Sequence, residues 1–284
     1  MPSTRDIRRR IKSVKNTAQI TKAMQMVAAS KMRKAQNAAL AGHPYAQLLN
    51  RVLVALKDRV DHSLHPLLEV REVKRELVLL ISTDKGLCGG LNTNLFREAS
   101  KFDVATTDFV NIGRKGKQFL ARTKRNLIAD FEIGDHPSFL EVKQVSKFCV
   151  DKFLSGEVDK VTVLYPRFVN TLTQAPTAMT VLPIAALPIN EKMELPEEGS
   201  SFMFEPSAYD VLDAILPYYI HFSIYQTLLD ARASEHSARM VAMKSATDNA
   251  KNLVNDLTLE YNKIRQASIT NELLEITTAQ LALG

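Results

Sequence analysis

The sequence predicts an α/β protein in which two long terminal helices pair as an antiparallel coiled coil and flank a central α/β domain. Three observations support this class. Apolar residues recur every three or four positions at both ends, and short apolar runs alternate with helical stretches in the middle. Aromatic residues make up only 7% of the chain and tryptophan is absent. Because large aromatics supply much of the buried area of a compact core, their scarcity favours packing between helices.

The first segment is predicted to be a helix with an apolar seam for a partner helix. Beside that seam Ile20, Met24 and Val27 form a second apolar line, which indicates contact with a third body. Gly42-His43-Pro44 interrupts the pattern, so the helix either bends there or resumes as a new helix from about residue 45 to 60. The seam positions, with Gln25 as the one polar break, are Ile7, Ile11, Val14, Ala18, Thr21, Ala28, Met32, Ala35 and Ala39.

The last segment is predicted to be a longer helix with a matching seam. From Ala208 to Leu283 it contains one proline, Pro217, and no glycine. A continuous helix of roughly 75 residues would be about 110 Å long. Such a helix needs a partner along its length, and the first segment must run antiparallel to it because both flank the middle of the chain. The seam positions are Met243, Ala246, Ala250, Val254, Leu257, Tyr261 and Ile264.

The middle of the chain alternates strand-like and helix-like stretches, which predicts a small Rossmann-like α/β domain with a mainly parallel sheet. The predicted strands are 76–82, 109–112, 127–131, 160–165 and 178–182, and the predicted helices are 91–101, 114–122 and 139–154. The predicted organisation is an N-terminal coiled-coil helix over 1–60, the α/β domain over 73–189, an acidic linker over 190–206 and a C-terminal coiled-coil helix over 207–284.

The charge distribution is asymmetric and predicts an acidic partner. Residues 1–36 contain ten basic side chains and one acid, whereas residues 206–284 contain six bases and nine acids. Opposite charges favour pairing of the two ends, although an exposed ion pair contributes only about 0.2–1 kcal/mol. The surplus positive charge favours an acidic protein partner, with nucleic acid or an anionic membrane as the alternatives.

Side chains capable of catalysis or metal binding do not form a recognisable active-site motif in the sequence. Gly86-Leu-Cys-Gly-Gly90 follows a predicted strand, where a phosphate-binding loop would lie, but it matches neither standard glycine-rich pattern. A tight turn is the preferred interpretation, and a nucleotide-binding enzyme with helical arms is the alternative. His62 and His65 are close in sequence without metal-ligand spacing. Cys88 and Cys149 are expected to be free thiols. We therefore expect no catalytic residue, cofactor or metal.

Four stretches, 7–34, 83–94, 235–250 and 261–276, closely resemble the γ subunit of F-type ATP synthases, in the same order and over nearly the whole chain. The resemblance implies a non-catalytic central rotor shaft. Its partners would be the α3β3 hexamer, the ε and δ subunits and the c-ring, through which alone it would contact the membrane. Proton or sodium flow would turn the c-ring and drive ATP synthesis, reversibly with hydrolysis. The implied location is the cytoplasmic face of a bacterial inner membrane, as a peripheral protein.

The resemblance also implies which residues meet the moving β subunits: Met24, Arg239, Gln266 and Thr270. The facing β segments are acidic in this family, which suits the cations Lys22, Lys31, Arg33 and Arg239. The apolar tip 279–283 would turn in a sleeve at the top of the ring. Thr277-Thr-Ala-Gln280 departs from the small residues usual there. The chain lacks the cysteine-bearing insert of chloroplast relatives, so thiol regulation is not expected.

Overall fold

The computed structural model describes residues 3–57, 65–184, 204–205 and 207–283. The predicted linker 190–206 therefore lies outside the described residues except for Phe204 and Glu205, and His62 also lies outside them. In chain order the elements are α1 Thr4–Lys57, β1 Glu76–Ile81, α2 Leu91–Ala99, β2 Thr107–Ile112, α3 Arg114–Arg122, β3 Asn126–Phe131, α4 Phe139–Leu154, β4 Lys160–Phe168, β5 Gln174–Leu182 and α5 Ala208–Leu283.

The described chain forms two compact units, and α1 and α5 each contribute to both. The first unit contains the described residues up to Ala28 and from Arg239 onward. The second unit contains the described residues between Ala29 and Ala238. No helix among the described residues combines the length and the apolar character that crossing a bilayer requires.

The first unit is a helix pair whose buried stripe matches the predicted seams. Ile7, Thr21 and Ala28 are buried on α1, and Met243, Ala250 and Leu257 are buried on α5. The remaining predicted seam positions in this unit are partly buried. The Thr21 and Thr247 hydroxyl oxygens lie 2.8 Å apart within the seam, so one hydroxyl donates to the other across the pair.

The carboxyl end of α5 has no cover from α1. Every described side chain from Arg265 to Gln280 is exposed, whereas Ile264 is still partly buried. In an antiparallel pair aligned at Thr21 and Thr247, residue 264 of α5 stands level with Thr4, where α1 begins. The seam therefore ends where the partner helix ends.

The second unit contains a five-stranded sheet with strand order β3-β2-β1-β4-β5. The first four strands are parallel, and β5 joins the edge antiparallel to β4. The mainly parallel sheet predicted from the alternating pattern is thus confirmed. Strands β1, β2 and most of β4 are buried on both faces, as expected for parallel strands between helical layers.

Helical layers cover both faces of the sheet. On one face α2 and α3 pack through Leu95, Phe119 and Leu120 against alternate residues of β1 and β2, including Val78 and Phe109. The other face is larger because α4, the second half of α1 and the first half of α5 all contribute. Its buried residues include Leu53, Leu56, Leu77, Leu79, Val110, Val145, Phe153, Leu216, Ile220 and Ile224.

The predicted interruption at Gly42-His43-Pro44 is accommodated within one continuous helix, because α1 runs through Pro44. Proline removes an N–H and its ring crowds the preceding turn of a helix. Next to this site the Gln226 side-chain amide donates to the Ala39 carbonyl at 2.8 Å. A Cβ at position 42 would lie 2.8 Å from Gln226 Oε1. Glycine therefore makes room for the α5 side chain that stabilises the disturbed turn.

Candidate functional site

The loop after β1 is a tight turn against α5. Leu87 and Gly89 adopt positive φ values of +62° and +59°. Cys88 and Leu91 pack with Ala238 of α5 in a small buried cluster. The sheet order reverses between β1 and β4, and doubly wound proteins bind ligands at such a crevice. Here α5 packs over the loop, and the structure supports the predicted turn over the nucleotide-binding alternative.

The other histidine and cysteine side chains considered as candidates are held in hydrogen bonds or buried in the core. The Leu67 N–H donates to His65 Nδ1 at 3.2 Å, so His65 Nε2 carries the hydrogen and donates to Asp213 at 3.1 Å. Both ring nitrogens are engaged. Burial raises the pKa of the Cys149 thiol to about 12, which keeps it protonated and unreactive. Within the described ranges, no three His, Cys, Asp or Glu side chains are grouped to hold a metal ion.

The helix pair presents apolar side chains to solvent along the second apolar line predicted on α1. Ile20 is 60% exposed and Val27 is 56% exposed, while Met24 between them is partly buried. The uncovered end of α5 also presents large apolar side chains to solvent: Ile269, Leu273, Leu274 and Ile276. A run of exposed apolar side chains on a helix pair marks a surface that a protein partner covers.

The four residues predicted to meet a partner lie at different places. Gln266 and Thr270 are exposed one turn apart on α5, and the Thr270 hydroxyl donates to the Gln266 carbonyl. Counted from the Thr21–Thr247 contact, Met24 is level with residue 244, which is 22 residues or about 33 Å from Gln266 along α5. Arg239 is buried, with 9% exposure. The structure therefore does not bring these residues together in one site.

The predicted partner-facing cations also divide into two groups. Lys22 and Arg33 are exposed on α1. The Lys31 ammonium instead donates to the Asp135 carboxylate, in the segment that follows β3. Lys31 thus has an acidic partner within the chain, and its contact with an outside acidic partner stays a prediction. This ion pair could not be predicted from neighbouring residues, because Asp135 lies 104 residues away along the chain.

Charged side chains connect α5 to the loops of the α/β layers, and no pattern in the sequence predicted this cluster. Arg232 of α5 is the largest fully buried side chain among the described residues. It donates to the Ile133 carbonyl at 2.6 Å and to Glu235 at 2.9 Å, and it lies 3.5 Å from Asp84. Asp84 also accepts the N–H of Arg114 at the start of α3, so it satisfies a backbone donor that the first turn of that helix leaves free.

A cavity of about 460 Å³ in the second unit is lined by α1, β4, β5 and α5. Asp230 lies on its wall and accepts the Phe168 N–H at 3.2 Å. Burial raises the pKa of this carboxyl to about 6, and the hydrogen bond from Phe168 and the charge of Arg167 oppose the shift only in part. Relative to the unfolded chain, the folded state therefore favours the protonated carboxyl between about pH 4 and 6.

The Asp230 carboxyl predicts a pH-dependent stability. Between pH 4 and 6 the folded state binds more protons than the unfolded state, so the free energy of unfolding falls as the pH rises. Well above pH 6 the Asp230 carboxyl is ionised, and the full free-energy cost of burying its charge is present. We expect Asp230→Asn to stabilise the chain by about 1 kcal/mol at pH 8, since water partly screens a half-buried carboxylate, and to have little effect at pH 4. Urea unfolding at both pH values checks this.

The control for that prediction is Asp151→Asn, which removes the same charge from the exposed surface of α4. It reports any general effect of lowering the negative charge of the chain. If the two variants changed the unfolding free energy equally at pH 8, burial of Asp230 would not be the cause.

Comparison with known proteins places these features in context. A family model described as ATP synthase matches residues 3–283. The chain is 52% identical over 294 residues to the ATP synthase gamma chain of Opitutus terrae, and the match covers 99% of each chain. It is also 52% identical over 293 residues to the ATP synthase gamma chain of Methylacidiphilum infernorum, which covers 100% of both chains.

Solved structures are similar in fold. A chain in the Tetrahymena thermophila mitochondrial ATP synthase central stalk and c-ring matches with a TM-score of 0.63 and 26% identity, covering 80% of this chain and 99% of that one. A chain in the Euglena gracilis mitochondrial ATP synthase rotor matches with a TM-score of 0.68 and 18% identity, covering 94% and 98%. At that identity the second likeness indicates the fold alone.

Proposed function

Because this chain belongs to the family of ATP synthase gamma chains, we propose that it is the central rotor shaft of a bacterial F-type ATP synthase. It transmits torque between the c-ring in the membrane and the catalytic β subunits, so that proton or sodium flow drives ATP synthesis and ATP hydrolysis drives the reverse. One observation carries this role: a stiff helix pair presents apolar side chains on its outer face and continues on α5 beyond its own partner helix.

In this proposal the chain is a non-catalytic subunit, and the chemistry belongs to the β subunits. A rotating shaft changes the affinity of a β site only if it contacts the three β conformations differently. The outer face of the helix pair and the uncovered end of α5 supply such contacts, since the first is apolar around Met24 and the second carries Gln266 and Thr270 beside exposed apolar side chains. Arg239 joins them only if its buried side chain becomes accessible in the assembly.

The proposed assembly contains the α3β3 hexamer around the helix pair, with the c-ring and the ε and δ subunits as further partners. The Tetrahymena match, from a structure of the central stalk with the c-ring, supports the c-ring partner. The proposed location is the cytoplasmic face of the bacterial inner membrane, where the chain is peripheral.

Reconstitution tests the role directly. Purified α and β subunits should hydrolyse ATP without coupling, and addition of this chain with the ε, δ and membrane subunits should produce ATP-driven ion pumping in vesicles. The chain alone should show no ATPase activity. If pumping of the same size arose when the chain was omitted, the rotor assignment would be wrong.

We further expect Met24→Lys to impair coupling more than folding. The substitution adds a cation to a partly buried position on an already basic helix, next to the apolar face that slides past the β subunits. The ratio of pumping to ATP hydrolysis in vesicles should fall, while the thermal unfolding midpoint of the chain should change little. Met24→Leu is the control, because it keeps an apolar side chain of similar volume. Equal ratios in Met24→Lys and the parent would contradict the prediction.

A further inference from the structure

We propose that the segment Ile133–Asp135, which follows β3, is an anchor that binds both long helices to the α/β domain and passes torque to them together. In this role Lys31 of α1 and Arg232 of α5 are positioning residues that act through Asp135 and Ile133. The inference rests on the proposed rotor function and assigns to these residues a part in it.

The contact with α5 is made by Arg232. One Nη atom donates to the Ile133 carbonyl at 2.6 Å, and the other donates to Glu235 at 2.9 Å. The guanidinium is planar, so these donors leave it with little freedom to turn. Asp84, which lies 3.5 Å from the same guanidinium, also accepts the first N–H of α3. Arg232 is therefore fixed to two loops at the carboxyl ends of the strands.

The contact with α1 is made by Lys31, two residues further along the same segment. Its ammonium donates to Asp135, and about a third of each side chain is exposed. That hydrogen bond is the main cause that lowers the pKa of Asp135, and the charges of His236 and Arg232 lower it further. One short segment thus contacts both helices through charged groups.

The type of contact matters for torque. Apolar contacts are non-directional, so they hold a helix against a domain without fixing the distance and angle between one particular pair of atoms. Charge-assisted hydrogen bonds have preferred distances and angles, so they resist sliding and rotation. A buried arginine is also no more stabilising than a well-packed apolar residue of similar volume. Its presence here is better explained by orientation than by stability.

The position along the helices matters as well. Lys31 lies three residues after Ala28, the last α1 residue of the helix-pair unit, and Arg232 lies seven residues before Arg239, the first α5 residue of that unit. Each helix continues without a break through these residues. The same short segment therefore holds α1 at Lys31 and α5 at Arg232, so torque applied to the sheet acts on both helices.

The test uses the assembled enzyme in vesicles and the partly exposed pair, because loss of buried Arg232 could prevent folding. We expect Lys31→Met and Asp135→Asn each to lower the ratio of ion pumping to ATP hydrolysis by about threefold or more, the size expected for coupled contacting residues, with hydrolysis retained. The charge exchange Lys31→Asp with Asp135→Lys should restore most of the ratio. Lys34→Met, which removes an exposed cation one turn away, should leave the ratio unchanged.

The outcomes separate the possible explanations. If Lys31 acted on acidic β segments, the charge exchange would stay as uncoupled as Lys31→Met, and the anchor would be excluded. If the ratio fell only in proportion to the amount of folded chain, measured by thermal unfolding and assembly yield, the pair would be merely stabilising and the proposal would be overturned. If the parent complex itself gave no pumping dependent on this chain, the rotor function would fail first, whatever the variants showed.

Discussion

Gly113→Ala is expected to lower the free energy of unfolding of the chain by about 3 kcal/mol or more, which combines overpacking with a strained backbone. Gly113 joins β2 to α3 with a φ of +100°, a conformation that residues with a Cβ rarely adopt. A Cβ there would lie 2.4 Å from the Ser82 carbonyl oxygen, which is backbone and cannot move aside without disturbing β1. Urea unfolding followed by circular dichroism measures the loss.

The matched control is Gly86→Ala in the loop after β1. A Cβ at Gly86 would have no heavy atom within 4 Å, and its φ is not in the left-handed region. We expect its effect to stay within about 0.5 kcal/mol, as for surface substitutions. Similar unfolding midpoints for the two variants would show that the turn after β2 tolerates a side chain and that the geometric argument is wrong.

Ala28→Glu is expected to separate α1 from α5 in the part of the seam around residue 28. Ala28 is 2% exposed, so the new carboxylate would be buried without a partner, at a cost of about 3 kcal/mol or more. The space left by an alanine is also too small for a longer side chain. The thermal unfolding midpoint of the full chain should fall, and the assembled enzyme should lose coupled pumping together with its assembly yield.

Val27→Glu is the neighbouring comparison, since Val27 is 56% exposed on the outer face. The same charge placed there should change the unfolding free energy by only about 0.5 kcal/mol. Because that face is proposed to meet the β subunits, we expect reduced coupling with normal folding. If Val27→Glu destabilised the chain as much as Ala28→Glu, the seam would not be the stripe that the burial pattern indicates.

The seams could be predicted because each depends on a local period. A helix turns once every 3.6 residues, so a stripe that one partner covers is visible in the spacing of Ile7, Ala28 and Leu257 without knowledge of that partner. The buried central strands were predictable for a similar reason, since buried parallel strands are short uninterrupted apolar runs such as 77–81. Only the strand order and the antiparallel edge β5 needed the structure.

The interruption at Pro44 was open in the sequence because local rules favour a break there. The structure has one helix, and α5 contacts it beside the interruption through Gln226, which donates to the Ala39 carbonyl. The tight turn at Gly86–Gly90 likewise depends in part on a contact that is distant in sequence. The turn itself followed from glycine, but its cover by Ala238 comes from a helix about 150 residues away.

Sequence patterns alone predict the two helical seams, the alternating α/β middle, the surplus of positive charge at the amino end and the family resemblance. Each of these is a property of neighbouring residues or of a shared motif. Only the three-dimensional structure shows that Lys31 pairs with Asp135, that Arg232 is buried against Ile133, and that α5 packs on the loop after β1 through Ala238. The physical reason is that charge pairing and burial depend on distance in space, which local periodicity does not encode.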